Sequence, residues 1–478
     1  MNHLLHPKIK PLHLVVLLAL AVSAFVVRTQ NFLHTPAWTI DERVYFVLGS
    51  QTSKNLFDYN TIFLADHLAE ENPQHATLSE YFRQPLFKHP PVFPWLLALS
   101  FKIFGVTHLS PIIMPALFGS LLILLGYLYG RLFFNETVGM LTAFCLWLDP
   151  VNIICSQKIW METSLSFWTL LTVFLFALGL RKNKDKFFIL SGIASGLAVL
   201  TKYPGILGTL VVVLYALFLS PELFRKKKFL FGIALPLLML MPWAIWNIFI
   251  FGFHPFQNFL QLHGSPVRIG ILLLLALTPL AVTLILKKRA GLPKPNTSVE
   301  PIPEETTAPT LLDRIRPNII IIYGILFFLA LWPNIFNALY FKRFPFVSWQ
   351  GGFFQHPLFY FGRFIEFSGV YLFAFIPFFL RRERTKDEIL LYLTTLVLFI
   401  FYLTWGNYQS RYIMAVTPLL LAIAMNFITE LFGKLRTVNN RALRISGMVG
   451  LAGLLLYFFL KTNYINFLIS YPNDLCYF

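Results

Sequence analysis

Charge is scarce in this sequence, acid scarcer still, and cysteine almost missing. Only 13% of its 478 residues are Asp, Glu, Lys or Arg, about half the share of an ordinary soluble domain. That leaves too little polar surface for a water-soluble fold. With 57% hydrophobic and 17% aromatic residues and a mean hydropathy of +0.66, the chain belongs in a lipid bilayer. Three cysteines, Cys145, Cys155 and Cys476, show no paired spacing, which excludes a disulfide framework and a thiolate metal site. The 22 acids stand against 39 Lys and Arg. The resulting net charge of +17 could mark a nucleic-acid partner, but the basic residues fall in short clusters between apolar runs and never cover one continuous face. They read as a topology signal, and no nucleic acid is expected. No internal repeat suggests two related transporter halves.

What is present is a succession of apolar windows long enough to cross about 30 Å of hydrocarbon. They lie near 12–28, 109–130, 136–154, 161–180, 187–202, 203–220, 229–251, 268–286, 318–338, 367–380, 388–405, 411–431 and 443–461. The first is read as an uncleaved span. With the N-terminus inside, most Lys and Arg residues fall on inner connections, among them "RKNKDK" at 181, "RKKK" at 225 and "RRERTK" at 381, as the positive-inside rule requires. The segment 287–317, rich in Pro, Thr and Glu, reads as a cytoplasmic linker. It divides an N-terminal block, 1–286, with a long outer loop at 29–108, from a C-terminal block, 318–478, with an outer loop at 339–366.

The same layout puts the polar chemistry on the outer face: Asp41, Glu42, Lys88, His89, Asp149, Lys158, Glu162, Lys202, His254, His263, His356, Arg363 and Arg411. A transporter is expected to carry ionisable residues deep within its spans, whereas these span cores are nearly free of charge. Each feature also has a plain structural reading. "TIDERVYFVLG" at 39–49 fits an N-capped amphipathic helix with acids in its first turn. Asp149-Pro150 fits a cap, and Lys158 with Glu162 fits a solvated i,i+4 pair. The segment 87–105, with two prolines and Trp95, fits an interfacial helix.

Taken in order, several segments resemble the polytopic glycosyltransferases of the protein O-mannosyltransferase and lipid A aminoarabinose transferase group. They are "DE" at 41–42, "KHPPVFPWLLALSFKIFG" at 88–105, "MET" at 161–163, "TKYPG" at 201–205, "PWAIWNIFIFGFHPF" at 242–256, "QHPLFYF" at 355–361 and "SRYIMAVTPLLLAIA" at 410–424. The resemblance implies the all-α GT-C fold, here with about thirteen transmembrane helices and a small, partly helical outer cap. It implies transfer of a sugar from an undecaprenyl- or dolichyl-phosphate donor to a hydroxyl, with inversion. Asp41 matches the group's catalytic acid and would be general base, with Glu42 orienting the site. Lys88, His89, Lys202, Arg363 and Arg411 would meet the donor phosphate, although His89, not a lysine, stands directly before the proline pair here. Glu162 looks like the second acidic position, serving the acceptor, with Asp149 a further candidate. No cofactor is required. A divalent metal has weak candidate ligands in His89, His263, His356 and Glu162. The implied partners are the bilayer, the lipid-linked sugar, and a glycan, lipid A or protein acceptor. The implied location is a bacterial inner membrane, with the site extracytoplasmic. The competing reading is a transporter or flippase of a lipid-linked glycan.

Overall fold

The structure is a computed structural model that describes residues 10–31, 39–62, 64, 89–251, 359–380, 385–404 and 409–470. These form fifteen α-helices and three short 3-10 segments, with no strand among the described residues. Six of the helices are long and apolar enough to cross a membrane, or seven if one bent pair counts as a single span, against the thirteen predicted from sequence. The predicted spans 268–286 and 318–338, the linker 287–317, and the outer loop up to residue 358 lie outside the described residues.

Helix α1 (Pro11–Asn31) is apolar on nearly all sides and exposes Val15, Leu18 and Val22, as a lipid-facing span does. Helix α2 (Ile40–Lys54) is different: its first turn is acidic and its apolar stripe is narrow. Val44, Tyr45 and Leu48 on that stripe pack with Phe93, Leu97 and Phe101 of α3 (Val92–Phe104). With 13 residues, α3 spans about 20 Å, too short to cross a bilayer. This pair of short helices belongs to the segment 29–108, which the sequence reading assigns to an outer loop.

The hydrophobic core is shared among the helices that follow. Helix α4 (Ser110–Phe133) turns into α5 (Glu136–Leu148) at Asn135, whose side chain accepts from the Val138 amide at 3.0 Å and so caps α5. Gly130 and Gly139 allow the two backbones to meet: a Cβ on Gly130 would lie 2.7 Å from the Gly139 Cα. The predicted span 136–154 is not one straight helix. It bends by 55° between α5 and α6 (Pro150–Ser156), because a residue before proline is driven out of the helical region, and Asp149 is extended there (φ −64, ψ 119).

The bend is filled with polar groups. The Asp149 carboxylate accepts from the Asn152 amide at 3.1 Å, from Thr417 at 3.4 Å, and from the Tyr371 hydroxyl. The Arg28 guanidinium donates to Asn152 Oδ1 at 3.1 Å, and all five side chains are buried. The expected cap at Asp149 is present, within a larger network.

Helices α7 (Glu162–Lys182) and α8 (Lys186–Thr201) form an antiparallel hairpin. The 21 residues of α7 rise about 30 Å, so Glu162 and Lys202 share one end of the molecule while Arg181 to Lys186 occupy the other. Helix α9 (Ile206–Leu219) follows a 3-10 turn at Tyr203–Gly205, and α10 (Lys227–Phe251) packs along α8. In the C-terminal part are α11 (Phe359–Phe367), α12 (Leu372–Leu380), α13 (Lys386–Thr404), α14 (Thr417–Arg436) and α15 (Arg441–Ser470). The predicted span 367–380 loses its first turn to a bend in which Gly369 adopts φ +64, a conformation that favours glycine. The predicted span at 411 starts six residues later, because Ser410–Ala415 is a 3-10 segment.

Candidate active site

The first turn of α2 separates its two acids. Thr39 caps the helix, its hydroxyl accepting from the Glu42 amide at 3.4 Å, and the Glu42 carboxylate accepts from the Thr39 amide at 2.8 Å, which is a closed capping box. Glu42 is thereby turned inward and is fully buried. Its Oε1 accepts from the Ile159 amide at 3.2 Å, and its Oε2 lies 3.6 Å from Lys158 Nζ. Lys158 is therefore the ion partner of Glu42 and not of Glu162 as the spacing predicts. The reason is local: α6 ends at Ser156 and α7 starts at Glu162, so no common helix brings positions 158 and 162 together.

Asp41, one residue earlier, leaves α2 on a different side. Its side chain stays 37% exposed and its Oδ2 lies 2.7 Å from Arg411 Nη2. Arg411 comes from the 3-10 segment before α14, donates through Nε to Gln409 at 2.6 Å, and lies over the Trp160 ring at 4.6 Å. The same Nε is 3.9 Å from Glu162 Oε1, which in turn accepts from Lys202 Nζ at 3.0 Å. Glu162 Oε2 is buried without a hydrogen-bond partner among the described residues. Tyr412 supplies a ring 4.9 Å from Lys202 Nζ and 5.4 Å from the Arg411 guanidinium.

Two acids and two cations thus alternate in one cluster, drawn from α2, the start of α7, the end of α8 and the segment before α14. The electrostatics follow from this packing. Burial alone would raise the Asp41 carboxyl, but the Arg411 guanidinium outweighs it, helped by His89 and Lys202, and holds the group below its usual range. Burial works against the Arg411 charge too, yet Glu162, Tyr412 and Asp41 overcome it and raise its pKa.

Of the other predicted site residues, His89 is buried near this cluster, its ring 5.2 Å edge-on from that of Tyr45. Lys88, His263 and His356 lie outside the described residues. Arg363 sits on α11, paired with Glu366 at 2.5 Å and lying over the Phe359 ring at 5.1 Å. Asp149 belongs to the polar network at the α5–α6 bend. Neither hydrogen-bonds or forms an ion pair with Asp41, Glu162, Lys202 or Arg411. Among the described residues no three His, Cys, Asp or Glu side chains gather into a metal-ligand set. Sequence reasoning missed Gln409, Trp160 and Tyr412 as neighbours of Arg411. Tyr412 lies inside the segment 410–424 already singled out and Trp160 directly before "MET" at 161–163, but no periodicity marks either.

Comparison with known proteins places this geometry in a wider context. Residues 88–246 match the family model described as dolichyl-phosphate-mannose-protein mannosyltransferase. An uncharacterised protein of Aquifex aeolicus is 30% identical over 164 residues, which is 34% of this chain and 33% of that protein; the match thus spans about a third of either length. The crystal structure of ArnT from Cupriavidus metallidurans in the apo state superposes with a TM-score of 0.51 at 15% identity, covering 96% of this chain and 74% of ArnT. The archaeal oligosaccharyltransferase AglB from Archaeoglobus fulgidus, solved with an inhibitory peptide and a dolichol-phosphate, superposes with a TM-score of 0.56 at 18% identity, covering 97% of this chain and 57% of AglB. The chain has the GT-C fold of these membrane proteins and, over residues 88–246, carries the sequence pattern of the mannosyltransferase family.

Proposed function

We propose that the protein is a membrane glycosyltransferase that moves a sugar from a polyprenyl-phosphate donor to a hydroxyl acceptor. The observation that carries this reading is the Asp41–Arg411–Glu162–Lys202 cluster at the end of the bundle where the short helices α2 and α3 pack together. It puts a partly exposed carboxylate beside two cations at one end of the helical bundle. The family match over 88–246 and the likeness to two GT-C structures support the same chemistry.

In this reading Asp41 accepts the proton of the acceptor hydroxyl, and the oxygen attacks the anomeric carbon. The bond from that carbon to the phosphate oxygen breaks, and the polyprenyl phosphate leaves with its charge met by Arg411 and Lys202, with Lys88 and His89 flanking them. A single displacement inverts the anomeric centre. Donor phosphate drawing on Arg411 would loosen its hold on Asp41 and raise the basicity of that carboxylate when the acceptor arrives. Glu162, with one oxygen on Lys202 and the other unpartnered, is placed to meet an acceptor hydroxyl or to position the cations. The cluster faces away from the cytoplasm by the distribution of basic loops, which fits a bacterial inner membrane. The acceptor class is a glycan, lipid A or protein.

The test is transfer by purified protein given radiolabelled polyprenyl-phosphate sugars and candidate acceptors. Wild type forms labelled product, and Asp41→Asn loses about 10² to 10⁴ in rate. Movement of the lipid across liposomes with no transfer supports the flippase reading instead. Full activity in Asp41→Asn removes Asp41 from the role of base.

A further inference from the structure

The end of the bundle opposite the acid and cation cluster carries its own concentrated chemistry. The α7–α8 turn and the start of α10 enclose an open hollow of about 740 Å³, lined by Asn183, Lys184, Asp185, Lys186 and Lys226 to Lys228. Its volume lies within the range of small-molecule sites, roughly 300 to 1,000 Å³, and five of its seven lining residues are lysine.

A topology signal needs positive charge on one side of the membrane, but it does not need two loops to converge. Here the fold makes them converge. Helices α8 and α10 cross at Gly192 and Gly232, so closely that a Cβ on Gly192 would lie 2.1 Å from the Gly232 carbonyl oxygen. This crossing fixes Lys186 and Lys227, near the helix starts, beside one another. Asn183 closes α7 in the left-handed region at φ 47, a conformation asparagine tolerates. Its side chain then accepts from Lys226 Nζ at 2.9 Å, while Asp185 lies 3.9 Å from the same amine. The corner of the hollow is thus tied together by side chains from both segments. The one acid present is engaged with Lys226, and Lys184, Lys227 and Lys228 have no acidic partner among the described residues.

Beyond the hollow both helices carry exposed apolar residues. On α8, Leu190 and Ile193 stand four and seven residues beyond Lys186. On α10, Leu230 and Phe231 stand three and four beyond Lys227, so on each helix the apolar residues share a face with the lysine. A cluster of exposed amines, three of them without an acidic partner among the described residues, beside exposed apolar helix faces suits one molecule: a charged headgroup with acyl chains beneath it.

We propose that this hollow binds an anionic phospholipid of the leaflet opposite the candidate active site, its phosphate held by Lys184, Lys227 and Lys228 and its chains lying along α8 and α10. Basic pockets between membrane helices take such headgroups, with each lysine contributing about 1 kcal/mol, or about five-fold in affinity.

The test is a thermal-unfolding titration of the full-length protein in neutral detergent. Phosphatidylglycerol should raise the unfolding temperature of wild type and phosphatidylcholine should not. The triple variant Lys184→Ala/Lys227→Ala/Lys228→Ala should need about 100-fold more lipid. Lys184→Arg/Lys227→Arg/Lys228→Arg should retain the response, which separates lost charge from lost fold. A control removes equal charge at another loop on that end, Arg436→Ala/Arg441→Ala/Arg444→Ala, and should titrate like wild type. The proposal is overturned if the control weakens as much, since the charge then acts diffusely. It is overturned equally if glycerol phosphate stabilises as well as the lipid, or if phosphatidylcholine does.

Discussion

At the scale of single residues, the acids at 41 and 42 leave the first turn of α2 about 100° apart, so one reaches Arg411 and the other closes a capping box against Lys158. Their substitutions should separate cleanly. Glu42→Ala removes the carboxylate that faces buried Lys158 and opens the capping box, and should cost about 1 to 3 kcal/mol in thermal unfolding. Asp41→Asn should unfold within about 1 kcal/mol of wild type, while losing transfer. The charge balance at Asp41 also sets a pH response. A carboxyl held below its usual range stays ionised in acid and is lost only as pH falls through that depressed value. Measured well below donor saturation, where the free enzyme is reported, the acid limb of the transfer rate should therefore lie below the ordinary carboxylate range. In Arg411→Gln, burial acts without its main opponent and the limb should move to higher pH; an unmoved limb would show that some other group sets it. From the sequence alone, Asp41 and Arg411 stood out by type and by neighbouring motif. Their contact did not, because 370 residues separate them and only packing joins them.

The elements were legible wherever apolar length decides. Helices α4, α7 and α10 begin and end close to the expected limits. The sequence misled where a local polar group overrides a long apolar run. Positions 136 to 154 read as one span, yet Pro150 and the Asp149 cap break it. The network in that break suggests an asymmetry between single and paired changes. Asp149→Leu alone should leave Arg28 and the Tyr371 hydroxyl buried without their acid and cost about 3 to 5 kcal/mol. Adding Arg28→Met removes the stranded charge, so the double variant should recover much of that loss. Unfolding curves of the three variants measure the coupling, and additive losses would show that Arg28 and Asp149 act separately.

At the scale of the whole molecule, the α7–α8 hairpin fixes two poles about 30 Å apart: Glu162 and Lys202 at one, Lys184 and Lys186 at the other. The poles should face opposite compartments. In a Cys145→Ala/Cys476→Ser background, Lys54→Cys and Lys184→Cys should react with an impermeant thiol reagent from opposite sides of sealed vesicles, since both lie at exposed positions and the remaining Cys155 is buried. Labelling of both from one side would refute the layout. The charge pattern already contained this polarity, because basic clusters recur at every second loop. The convergence of two such clusters on one hollow was not readable, since it depends on the glycine crossing of α8 and α10.

The alternation of two acids with two cations has one more consequence. A donor diester would bring a single negative charge to Arg411 and Lys202, whereas the monoester left after transfer would carry up to two. The cations that ease departure would then grip the spent carrier more tightly than the donor, so turnover would be governed by product inhibition and by whatever removes that carrier from the membrane.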